Sequence, residues 1–168
     1  GAASYLTDLH PTADGGYLLA GEADWFTGAI RHYLRLIKVD GDGNAQWDRV
    51  YSEGDVINNR TAGVLPMPDG GYAVGITLEN GLVATNGILR VDAFGDSLWT
   101  TAGQGDGFAN DLIFASDGGF LLGGNRYTDF SPFVPKVFKF DSAGQFEWSE
   151  EYPGFQNGTI FDLAPVST

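Results

Sequence analysis

One pattern recurs three times along this chain, in the same order each time. The string D-G-G-aromatic stands at Asp14–Tyr17, Asp69–Tyr72 and Asp117–Phe120. It is followed by D-x-x-G-x-x-x-W at Asp40/Gly43/Trp47, Asp92/Gly95/Trp99 and Asp141/Gly144/Trp148, with Lys38, Arg90 and Lys139 two residues before each of these Asp residues. Three signals repeated in one order define a repeat of about fifty residues. A unit of that size cannot bury its own apolar faces, so it folds by stacking on its neighbours.

Within the first repeat the residues call for four short strands, over about 5–12, 17–21, 33–39 and 45–51. Asp14-Gly15-Gly16 and Asp40-Gly41-Asp42-Gly43 are tight turns, with Asp opening the turn and Gly supplying the left-handed position. The second strand is a continuous apolar run, the mark of a strand buried on both faces. Glycine fills 25 of the 168 positions, and each one weakens a helix by about 1 kcal/mol relative to alanine, so helices are not expected.

Four strands per repeat make a propeller blade. Pro11, Pro66 and Pro165 share one position of the first strand and belong on an edge, because proline cannot donate to a ladder. Ala20, Gly75 and Gly123 recur in the second strand, where blades crowd together. The expected fold is therefore all-β: three four-stranded antiparallel blades of a β-propeller over about 4–52, 60–101 and 108–152. One orphan strand at about 159–168 aligns with the start of a fourth. A β-trefoil, which also has threefold repetition, is the alternative. An arc of three blades exposes open blade faces, so the expected partners are other blades of the same or of neighbouring chains.

The 22 acidic and 9 basic residues give a net charge of −13, which argues against nucleic acid and anionic membranes as partners. The absence of cysteine removes disulfides, thiolate metal sites and a Cys nucleophile. No apolar stretch reaches the length of a membrane-spanning helix.

The run Asp14–Gly21 followed by Leu36–Trp47 resembles the propeller-type repeats of large secreted bacterial proteins, D-G-G-Y-x-L-A-G and then L-x-K-x-D-x-x-G-x-x-x-W, often upstream of a secretion-sorting domain. The other two repeats match more loosely, and together the likeness spans nearly the whole chain. It implies a propeller fold and an extracellular or cell-surface location. It implies no activity, since propellers host many.

Features present in every repeat are scaffold; departures from the repeat are where function is added. The segments that differ are 22–30, 53–59, 79–87, 103–108, 125–135 and 153–158, read as loops on one face of the propeller. Trp25 and Phe26 with Asp24 in the first repeat, and Tyr127, Phe130 and Phe133 with Asp129 in the third, are candidates for stacking on a sugar or anchoring a surface protein. The bland alternative is that these aromatics fold back over the blade ends. Asp40, Asp42 and Asn44 have the alternating oxygens of a calcium loop but lack its later Gly and Glu, so a plain hairpin turn competes with a calcium site there. No G-x-S-x-G, P-loop or dinucleotide motif appears, and His10 and His32 are unrelated in repeat position. The reading is a non-catalytic scaffold and interaction module without a cofactor, with a carbohydrate-binding module as the alternative and a glycosidase-like enzyme a distant third.

Overall fold

A computed structural model of the chain describes residues 4–26, 30–51, 58–80, 83–128, 131–155 and 157–164. Among them there is no helix. Strands β1 (Ser4–Pro11), β2 (Tyr17–Phe26), β3 (Ile30–Val39) and β4 (Ala45–Tyr51) form a first antiparallel meander. Strands β5 (Asn58–Pro66), β6 (Tyr72–Asn80), β7 (Val83–Val91) and β8 (Ser97–Gln104) form a second. Strands β9 (Phe108–Phe114), β10 (Phe120–Thr128), β11 (Ser131–Phe140) and β12 (Phe146–Glu151) form a third. Each repeat completes its own four-stranded ladder. Among the described residues the one bridge between ladders is a parallel pair, His32 with Asn58. Among the described residues the sheets do not close into a barrel, which removes the trefoil alternative: its repeats must share one.

Each turn joins its strands through the residues that mark the repeat. Asp40 Oδ1 accepts the backbone N–H groups of Asp42 (3.0 Å) and Asn44 (2.8 Å). Asp92 and Asp141 hold their turns in the same way, although Phe94 and Ala143 replace Asp42 there. Beneath the turns lies a buried cation in every unit. Lys38 Nζ donates to Asp14 Oδ2 at 2.8 Å and to Gln46 Oε1 at 3.0 Å, tying the first turn to the fourth strand. Arg90 reaches Asp69 and the Tyr72 carbonyl, and Lys139 reaches Asp117 and Glu147. These contacts hold the turn carboxylates below their usual range, Asp14 and Asp117 chiefly through the lysine and Asp69 chiefly through the Gly71 N–H.

The three units stack face to face. Strand alternation sends Tyr72, Val74, Ile76, Leu89 and Val91 of the middle unit toward the first, where Leu18, Ala20, Leu34 and Leu36 meet them. Ala73 and Ile88 point the other way, toward Leu112, Phe120, Leu122, Phe138 and Phe140 of the third unit. The middle sheet is buried on both faces, which is why its strands read as continuous apolar runs.

Three expectations about strand length are corrected. The segment read as a loop over 22–30 is mostly ladder: β2 and β3 stay paired out to Trp25 with Arg31 and Phe26 with Ile30. The same holds at 79–87, where Asn80 pairs with Val83, and at 125–135, where Thr128 pairs with Ser131. The apolar run of β2, read as buried on both faces, is buried on one: Leu18 and Ala20 pack against the middle unit, whereas Tyr17 and Leu19 on the opposite face are exposed or half-buried. The ladders continue past the apolar runs and alternate half-buried charged residues such as Glu22 and Asp24 with buried ones such as Ala23.

Candidate functional site

The first strands of the units, β1, β5 and β9, lie side by side at one edge of the stack, and each carries a bulge at the same place. In β1 the bulged residue is Thr7, in β9 it is Asn110, and in β5 the irregularity covers residues 62–63. Bulges break the ladder and re-aim side chains, and here they open the inner edge to the next unit. Asp8 Oδ2 accepts the Val64 N–H at 3.0 Å, and Asp111 Oδ2 accepts the Leu163 N–H at 2.6 Å. The second bond gives residues 159–163, which carry no ladder, the position on the third unit that β5 holds on the first. Ile160 N–H donates to the Gly124 carbonyl, and Asn110 Nδ2 donates to Thr159 Oγ1 at 2.8 Å.

Further along the second strand, one position always meets the following unit. It is Thr77 in the middle unit, whose hydroxyl accepts the Ala109 N–H at 3.0 Å. It is Asn125 in the third, whose Oδ1 accepts from Thr159 at 3.0 Å. In the first unit it is Glu22, and here the seam is charged. Burial pushes the Glu22 carboxyl up, against the opposing pull of Arg60 and then His32. His32 Nδ1 is in hydrogen-bond contact with Asp24 Oδ1 and lies 4.0 Å from Glu22 Oε2. Arg60 Nε sits 2.6 Å from Glu79 Oε1, and the guanidinium covers the Phe108 ring at 5.5 Å.

Arg60 also borders a cavity of about 400 Å³, lined by Phe108, Asn110, Asn125, Phe133 and Phe161. That volume lies within the range of small-ligand sites. Aromatic faces beside an arginine suit a sugar or a carboxylate. Yet the amides of Asn110 and Asn125 are already engaged in holding residues 159–160, and Arg60 is engaged with Glu79.

Of the residues singled out in the sequence, Phe133 lines this cavity and Asp24 joins the charged seam. Trp25, Phe26 and Tyr127 belong to strands β2 and β10 rather than to loops. Asp129 and Phe130 lie outside the described residues. Asp40 and Asn44 come together as a turn, with Asn44 Nδ2 donating to Asp40 Oδ2 at 3.1 Å. Among the described residues no three carboxylates or imidazoles converge as metal ligands. Sequence reasoning missed Arg60 as a site residue. Its signal was its place in the repeat, since the matching positions hold Tyr5 and Phe108.

No protein-family model matches the chain, and no curated protein matches it. Among solved structures it is similar to a protein of unknown function from Bacteroides caccae, at 17% identity and a TM-score of 0.54. The match covers 88% of this chain and 46% of the other, so this chain spans less than half of that one. At such identity the likeness concerns the fold alone.

Proposed function

We propose that the chain is an arc of a β-propeller, three blades and a segment seated where the inner strand of a fourth belongs, serving as a non-catalytic scaffold and protein-interaction module of a secreted or surface protein. One observation carries this reading: equivalent faces of the three units are covered or open according to whether a unit precedes them. Tyr17, Leu19, Ile37 and Val39 of the first unit correspond to Tyr72, Val74, Leu89 and Val91 of the second and to Phe120, Leu122, Phe138 and Phe140 of the third. The latter two sets are core; the first is half-buried or exposed. A chain built to present an open sheet face presents it to another unit. The commitment of the cavity's amides and of Arg60 to the seams between units favours scaffold over catalysis, and the secreted location rests on the sequence resemblance.

The carbohydrate reading is favoured by a different observation, the cavity beside Phe133 and Arg60. A glycan array on folded protein separates the two. The scaffold reading expects no glycan signal. A signal abolished by Phe133→Ala, with the melting temperature unchanged, would replace it with a lectin.

A further inference from the structure

The units join through a repeated hand-off. Trp47 Nε1 donates to the Ala93 carbonyl of the next unit at 3.0 Å, and Tyr51, four residues on, donates its hydroxyl to the Gly95 carbonyl at 2.6 Å. The Trp47 ring lies so close over Gly95 that a Cβ there would sit 2.9 Å from it. Trp99 covers Gly144 in the same way, at 2.5 Å. Two ends of this series are unfilled. Trp148 is 46% exposed and Tyr152 is 44% exposed; they are the third unit's counterparts of Trp47 and Tyr51. Gly43, the counterpart of Gly95 and Gly144, has open space where the other two have an indole.

We infer that these two ends fit each other: the third unit of one copy docks on the open face of the first unit of a second copy, head to tail. Trp148 then seats on Gly43, its indole N–H reaches the Gly41 carbonyl, and Tyr152 reaches the Gly43 carbonyl. The inference rests on the propeller-arc reading, because it transfers the contacts of one internal interface to the next. The occupant is a second copy because this chain itself carries both halves of the motif, and the apolar row Leu9, Tyr17, Leu19, Ile37 and Val39 matches rows that its own second and third units bury. Residues 159–163 hold the seat on the third unit that β1 of the incoming copy needs. Docking therefore exchanges one for the other, with Leu9 N–H replacing Leu163 N–H at Asp111. Such a heterologous contact closes a ring where its rotation allows and builds a filament where it does not.

The absence of native cysteine makes the contact testable by cross-linking in the full chain. Arg49 lies 3.8 Å from Asp96 across the first internal interface, and their counterparts at the open ends are Glu150 and Asn44. With a short bismaleimide cross-linker, which spans the reach of the replaced side chains, an equimolar mixture of Glu150→Cys and Asn44→Cys chains gives a linked pair, while neither variant alone does. Leu163→Asp, which weakens the seated segment, raises the yield several-fold. A control chain carrying Arg49→Cys and Asp96→Cys is closed internally by the same reagent. Closure of the control without any linked pair overturns the docking and leaves the arc intact. Linked pairs from Asn44→Cys alone overturn it in favour of face-to-face association, and an unchanged yield with Leu163→Asp overturns the exchange. Failure of the control to close removes the arc reading itself and the docking with it.

Discussion

Phe138→Ala lowers the stability of the folded chain by about 3–5 kcal/mol, the range for emptying a well-packed aromatic site. Phe138 is fully buried at the centre of the second interface, among Phe120, Leu122, Ile88 and Ala62. Two further features hold its ring. Gly105, in the connection leading to β9, approaches so closely that a Cβ there would lie 2.8 Å from the ring, and Lys136 Nζ stands 5.3 Å from its centroid. Its neighbours are carried by paired strands on both sides of the interface, so the cavity has little room to collapse. The matching change in the first unit, Ile37→Ala, removes a side chain that no unit covers, and costs about 1 kcal/mol. Urea denaturation of the two variants measures the difference, and equal losses would contradict the layered core.

Gly124→Ala is the second large effect, at about 3 kcal/mol or more, the upper end for forcing atoms into a filled site. A Cβ at Gly124 would press into the Phe108 carbonyl and the Ala109 Cα, both of them backbone. Neither can move without undoing the β9 bulge, which also places Asn110 against Thr159 and frees the Gly124 carbonyl for Ile160. Gly21 is crowded by Tyr5 in the same manner. The middle unit has Ile76 at this position and tolerates it, because its irregularity is spread over residues 62 and 63. Gly118→Ala is the comparison. It meets open space and pays only for its positive φ of 84°, about 1 kcal/mol. Thermal melting of the two variants should rank them in that order.

What was legible in the sequence is what local chemistry decides. The D-G-G and D-x-x-G turns close on hydrogen bonds within five residues, so their Asp and Gly announce them, and β4 begins and ends where the turn and the Trp imply. The lengths of β2 and β3 were not legible, because past the apolar run buried Ala23 is flanked by half-buried Glu22 and Asp24, whose charges read as loop. Nor was the charged seam. Arg60 reaches Glu79 and Phe108 through the register of three strands, and only its departure from the aromatic at that repeat position hinted at a role. Trp47 and Trp148 share one motif and yet differ in exposure, since the cover on each comes from a neighbouring unit rather than from its own.

The account turns on that last point, and equivalent substitutions test it most directly. Leu9, Val64 and Leu112 occupy one position of the repeat, with 57%, 5% and 3% of their surfaces exposed. Aspartate is to be placed at each in turn and the unfolding free energy measured. Val64→Asp and Leu112→Asp bury an unpaired carboxylate between sheets and abolish the cooperative fold. Leu9→Asp leaves the chain folded, within about 1 kcal/mol of the parent. A Leu9→Asp variant that unfolds as the other two do would contradict the account, because the first unit's face would then be part of a closed core.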